Sequence, residues 1–289
     1  MLSFEGRVAV ITGAGQGLGR AYATSLAARG AAVLVNDPAT DDGGALADRV
    51  CAEIEAGGGE AFPNYESVAS REGGAAIVRD AVQRFGRIDI LVNNAGIIRD
   101  RMFQNLPERD ITDVIAVHLG GAFWVTQPAW SVMREQRYGR VVFTTSLSGL
   151  IGNPGQANYA AAKMGAVGLM KVLAAEGQRY GIAVNAIAPI AQTAMASHLT
   201  SFDVTSFTAG QVASAVAYLA HESCTVSGEI ISSIGGRVAR YFIGLTPGVR
   251  FQELTPEDVA ANIGQIADTR GYFEPRTLAD EIGSVVGAD

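Results

Sequence analysis

The sequence predicts an α/β chain: a doubly wound, seven-stranded parallel sheet with helices on both faces, forming a single domain. Two observations carry this. Short apolar, β-rich runs at residues 8–11, 32–35, 61–64, 88–92, 140–145, 183–186 and 229–233 alternate with segments of helical period. Strands that alternate with helices lie parallel, because each return crossing is a helix. The first run leads directly into a glycine-rich turn and then an Ala-rich helical pattern over 20–29, the strand, loop, helix order of a Rossmann-type sheet. A length of 289 residues fits one large domain of this kind.

The first turn reads Thr12-Gly13-Ala14-Gly15-Gln16-Gly17-Leu18-Gly19. In such a loop Gly13 allows the tight turn, Gly17 the close approach of backbone to a pyrophosphate, and Gly19 the packing of helix on strand, while the helix N-terminus offers amides to phosphates. Gly13, Gly17, Leu18 and Gly19 are therefore candidate dinucleotide contacts. The second run ends in Asn36-Asp37, close to the ~20-residue offset expected for an acidic group on the adenosine ribose. A carboxylate there accepts from the ribose hydroxyls and repels a 2′-phosphate, so Asp37 argues for NAD over NADP, and Gln16 agrees. The other reading of Asp37 is an ordinary turn residue before Pro38. Gly57-Gly58-Gly59 reads as a helix stop.

The run 140–145 leads into Ser146, and an Ala-rich helical stretch then carries Tyr159-Ala160-Ala161-Ala162-Lys163. One turn puts the phenol and the ammonium on the same helix face. A phenol titrates near pH ~10, and a nearby cation lowers that value, which suits Tyr159 to general acid/base work. Ser146 is placed to orient a substrate oxygen by hydrogen bonding. Taken alone, Tyr-x-x-x-Lys also fits a surface helix pair.

With Asn93-Asn94-Ala95-Gly96 and Asn185-Ala186-Ile187-Ala188-Pro189 added to these stations, the chain resembles the short-chain dehydrogenase/reductase family from about Ser3 to Gly235. The resemblance implies that Tyr159 moves the proton of the substrate oxygen, that Lys163 also binds the nicotinamide ribose, and that Ser146 polarises the carbonyl. It further implies that Asn94 and the segment after Pro189, with Ala191 and Thr193, line the cofactor. Two departures stand out. The family's catalytic Asn position is His118 here, in Val117-His118-Leu119, and Ile190 replaces the glycine that usually follows Pro189. His118 reads either as a member of a proton relay from Lys163 or as a satisfied core histidine.

Val117-His118-Leu119-Gly120-Gly121-Ala122-Phe123, Asn94 through Arg101, Asn64-Tyr65-Glu66-Ser67-Val68, Gly155-Gln156-Ala157-Asn158-Tyr159 and His221-Glu222-Ser223-Cys224 narrow the resemblance. They are similar to the (3R)-hydroxyacyl-CoA dehydrogenase region of peroxisomal type 2 multifunctional enzymes. What this implies is an NAD-dependent interconversion of a (3R)-3-hydroxyacyl-CoA, with bulky or steroid-derived acyl chains included, with its 3-oxo thioester, and Glu66 and Ser67 beside the adenine. It also implies a homodimer supported by an extension at 236–289 beyond the dehydrogenase region 1–235, with a homotetramer as the alternative. A hydroxysteroid dehydrogenase or acyl-carrier-protein ketoreductase of the same fold is the second reading, and a non-catalytic NAD sensor the third.

Composition narrows the field further. A net charge of −7 disfavours nucleic acid and anionic membranes as partners, and no apolar run reaches the length of a membrane span. The opening Met-Leu-Ser-Phe-Glu lacks a secretory pattern, so a cytoplasmic protein is expected. Cys51 and Cys224 read as unpaired, and His118, His198 and His221 form no recognisable metal set. Arg99 and Arg101 are candidates for CoA phosphates, or else solvated surface arginines. Residues 190–207 read as a substrate lid or as a plain loop. Thr255-Pro256-Glu257-Asp258 reads as a helix start, with Val259, Ala260, Ile263 and Ile266 as its apolar stripe.

Overall fold

The computed structural model describes residues 2–39, 46–193 and 205–286. Strand β1 (Val8–Thr12) is buried throughout, as a strand covered on both faces must be. It pairs in parallel with β2 (Ala32–Asn36) on one side and β4 (Ile90–Asn93) on the other. Beyond β2 lies β3 (Glu60–Asn64); beyond β4 come β5 (Gly139–Thr144), β6 (Ile182–Ile190) and β7 (Ile230–Ile234), all parallel. The order 3-2-1-4-5-6-7-8 reverses its direction of growth between β1 and β4. Such a reversal opens a crevice beyond the carboxyl ends of those two strands.

The sheet has eight strands rather than the seven expected. The eighth, β8 (Arg237–Tyr241), lies outside β7 at the edge. Gly235 and Gly236, at φ 55° and 81°, make the whole connection. A two-residue link with both φ positive is a tight hairpin turn, so β8 returns antiparallel to β7. The helix after the glycine turn begins earlier than its periodicity suggests, as α1 (Gly17–Ala27).

Helices α1, α2 (Leu46–Ala56) and α8 (Ala209–Ala220) pack on one face, where Tyr22, Leu26, Val50, Val212 and Val216 join the sheet's core. On the other lie α3 (Arg71–Phe85), α5 (Gly121–Gln136) and α7 (Ala157–Gly177). Helix α4 (Glu108–Ile115) runs into α5 through a single π-helical turn, Ala116–Gly120. Short α6 (Leu147–Ile151) follows β5.

The chain divides into two compact units, Met1–Arg240 and Tyr241–Asp289. In the second unit α9 (Pro256–Ile266) starts as expected, with Thr255 Oγ1 accepting from Asp258 N and Asp258 Oδ2 accepting from Thr255 N. Its expected apolar stripe is not buried, however: Val259 is 38% and Ile263 58% exposed. Helix α10 (Leu278–Val286) likewise exposes Leu278 and Ile282. Leu245 and Phe273 form an antiparallel bridge.

Candidate active site

The carboxyl ends of β1 and β4 are tied by one hydroxyl. Thr12 Oγ1, at the last residue of β1, accepts from Asn94 N at 3.0 Å and Ala95 N at 3.1 Å. Asn94 Nδ2 in turn donates to the carbonyls of Thr12 and Gly13. Asn94 is therefore a brace for the glycine turn. Gly13 has φ +62°, and a Cβ there would sit 2.7 Å from Ala95 Cα; at Gly19 one would sit 2.1 Å from Gly13 O. The turn and the first coil of α1 thus close on each other.

A nicotinamide dinucleotide fits the groups that surround this turn. At Gly17, φ +56°, a Cβ would meet Thr193 Cγ2 in ordinary contact at 3.6 Å. Ala191 is buried and Thr193 half-buried, so the chain leaving β6 comes back to the turn. Leu18 packs against the core. Half-buried Asp37, just past β2, accepts from Gly15 N through Oδ2 at 2.9 Å. Burial pushes its carboxyl above the usual range and the Gly15 bond opposes that shift. Buried Asn36 binds Asn64 Oδ1 and Glu66 O, both at 2.8 Å, which sets exposed Glu66 and Ser67 beside the end of β2. Where a glycine would break the strand, Ile190 continues β6 and pairs with Ile234.

Ser146 ends the segment after β5 and caps α6, accepting from Ser148 N at 3.1 Å. Its hydroxyl also acts on Tyr159, lowering the phenol's pKa. Tyr159 and Lys163 occupy successive turns of α7 and are both buried. The expected depression of the phenol pKa by Lys163 is not what this geometry gives. Burial raises the Tyr159 phenol, the Ser146 hydroxyl lowers it, and Asp100 adds to the rise. Lys163 Nζ instead donates to Thr144 O at 2.5 Å and lies 5.6 Å from the Tyr159 ring centre. Desolvation brings its own pKa down to about 7.

His118 sits in the π-helical turn, a device common at functional sites. Its ring meets Tyr159 edge to face, with centres 5.0 Å apart. Nε2 lies 2.8 Å from Ile97 O and 3.0 Å from Ile97 N, so either neutral tautomer finds a partner on the same residue. Nδ1 is buried without a hydrogen-bond partner. Burial, with Lys163 adding to the effect, lowers the ring pKa to about 3, so the imidazole stays neutral at physiological pH. His118, Lys163, Thr12, Asn93 and Thr144 help line a cavity of about 10 Å³, roughly one water's worth of room.

Sequence reasoning missed Asn158, which accepts from Tyr159 N and donates to the carbonyls of Arg99 and Asp110. A polar residue next to Tyr159 was the only signal for it. The expected lid at 190–207 falls mostly outside the described residues.

A short chain dehydrogenase family model matches residues 7–203, and the chain belongs to that family. It is 43% identical over 295 residues to the mouse peroxisomal multifunctional enzyme type 2, which covers 99% of this chain and 40% of the mouse protein. It is 45% identical to a short-chain type dehydrogenase/reductase of Mycobacterium tuberculosis, over 94% of this chain and 97% of that one. The solved full-length peroxisomal multifunctional enzyme type 2 of Drosophila melanogaster superposes with a TM-score of 0.84 at 37% identity, covering 99% of this chain and 50% of its own. The chain thus spans half or less of the two multifunctional relatives and nearly all of the mycobacterial one.

Proposed function

We propose that the chain is an NAD-dependent dehydrogenase that interconverts a (3R)-3-hydroxyacyl-CoA and its 3-oxoacyl-CoA. The carrying observation is the convergence of Ser146, Tyr159 and Lys163: a buried phenol whose proton affinity the Ser146 hydroxyl lowers, one helical turn from a buried lysine. Gly13, Gly17, Leu18, Gly19, Asp37, Glu66, Ser67, Asn94, Ala191 and Thr193 would hold the dinucleotide, and the carboxylate of Asp37 favours NAD. When bound, NAD supplies the acceptor for the hydride that leaves the carbinol carbon.

The protein's own part is proton handling. Ser146 orients the substrate oxygen, and the Tyr159 oxygen takes the hydroxyl proton in oxidation and returns it in reduction. Lys163 and His118, which line one cavity, pass that proton on, His118 as a neutral ring. Tyr159→Phe tests the assignment. It should bind NADH, read by fluorescence, while kcat falls by about 10²–10⁴; wild-type turnover would remove Tyr159 from the role. His118→Ala should slow turnover by about tenfold, modest beside a direct acid/base. A lower melting midpoint with kcat intact would make His118 a packing residue.

A relative at 38% identity, the 3-oxoacyl-[acyl-carrier-protein] reductase FabG of Escherichia coli, supports the second reading, a ketoreductase of the same fold; a hydroxysteroid dehydrogenase belongs with it. A non-catalytic NAD sensor is the remaining alternative. Apolar side chains exposed on α9 and α10 support a homodimer, with a tetramer as the other form. No described helix is long and apolar enough to cross a membrane. The proposed compartment is the cytoplasm, with the peroxisome of the named relatives as the alternative.

A further inference from the structure

We propose that Arg99 binds a phosphate of the CoA thioester, with Met102, Phe103 and Ile151 forming the apolar rim over which the pantetheine arm enters. The assignment rests on the acyl-CoA reading above. The segment after β4 is pinned along the active site. Ile97 is held by His118, and Arg99 O accepts from Asn158 Nδ2 at 3.2 Å, next to Tyr159 in the chain. Asp100 accepts from Gln156 at 2.8 Å, and Arg101 N donates to Gly155 O at 2.8 Å. The Arg99 backbone is therefore fixed beside the catalytic tyrosine's helix while its residue stays exposed.

The nearby arginines differ in their partners. Arg101 meets Asp110 at 3.0 Å and Arg109 meets Asp113 at 3.6 Å. The Arg99 guanidinium donates to the Ile98 carbonyl at 2.9 Å and has no acidic partner among the described residues. In a chain of net charge −7, a guanidinium left unneutralised at this position suits an anionic ligand, and its planar fork matches phosphate oxygens. Shortly after it in the chain Met102 is 53% and Phe103 78% exposed, and Ile151, at the end of α6, is 70% exposed. The Arg101–Gly155 bond ties the segment that leads into Met102 and Phe103 to the turn that follows Ile151 and α6. A CoA thioester supplies both complements, an arm to cover the apolar rim and phosphates for Arg99. An uncharged steroid would leave Arg99 unused.

Steady-state kinetics with a 3-hydroxyacyl-CoA and with the N-acetylcysteamine thioester of the same acyl chain, which lacks phosphate, test this. Arg99→Ala should raise KM for the CoA thioester by about tenfold, the worth of one charge-assisted hydrogen bond. KM for the phosphate-free thioester should move by no more than about twofold, Arg99→Lys should recover part of the loss, and Arg109→Ala should move neither value. Equal shifts on both thioesters, or none on either, overturn the assignment while leaving the acyl-CoA reading standing. Wild-type turnover of neither thioester overturns that reading, and the role of Arg99 with it.

Discussion

Lys163 is held without an acidic partner among the described residues, its ammonium on a carbonyl oxygen, and burial has shifted its proton affinity from 10.5 to about 7. The unfolded chain keeps that proton up to its ordinary pKa, so between about pH 7 and 10.5 it binds more protons than the folded chain. Stability therefore rises with pH through this window, and the cost of the buried charge is fully present below it. Denaturant unfolding of wild type and Lys163→Met between pH 6 and 10 should show wild type gaining on the variant as pH rises; parallel curves would contradict the burial of Lys163. The same desolvation suits the residue to catalysis, since a lysine poised near neutrality takes up or releases a proton as the tyrosine beside it changes state.

Among the elements, the glycine turn and α1 act as one piece. The crossing of Gly19 and the Gly13 carbonyl leaves no room for a methyl group, so Gly19→Ala should destabilise the fold by about 1–3 kcal/mol and weaken dinucleotide binding. Thermal unfolding with and without NADH measures both, and an unchanged melting midpoint would refute the contact. This turn was legible in sequence because its chemistry is local: glycines at fixed offsets between a strand and a helix. Ser146, Tyr159 and Lys163 were legible for the same reason. Asn158 and Asn36 were not, because the acceptors that their amides meet lie 28 to 59 residues away, and a sequence names a donor without naming the distant oxygen that it meets. The hairpin to β8 did carry a signal, Gly235-Gly236 between β-rich runs, yet its strand was assigned to the extension. The stripe on α9 was correct as helix periodicity, but periodicity does not say what covers the face.

At the scale of the molecule, the order of strands does most to place function. Growth of the sheet in both directions from β1 and β4 puts Thr12, Asn94, Ser146, Tyr159 and the residues after β6 at the carboxyl end of the strands. The opposite end, where β1 and β4 begin, holds a cluster of charges. There Asp89, fully buried, accepts from Arg7, Arg87 and Val8 N, and Arg7 reaches Glu222 at 2.8 Å. These links fasten β1 to the start of β4 and to the loop after α8, a charged knot that periodicity could not disclose. One end of the sheet thus anchors the fold while the other holds the proposed active site. The central claim is that this active end oxidises one hydroxyl configuration of an acyl-CoA with NAD. The most direct test follows reduced nicotinamide by absorbance, with (3R)- and (3S)-3-hydroxyacyl-CoA, a free hydroxysteroid, and NAD or NADP. Turnover of the (3R) thioester alone, with NAD, is the predicted result; activity confined to the steroid, or dependent on NADP, would contradict it.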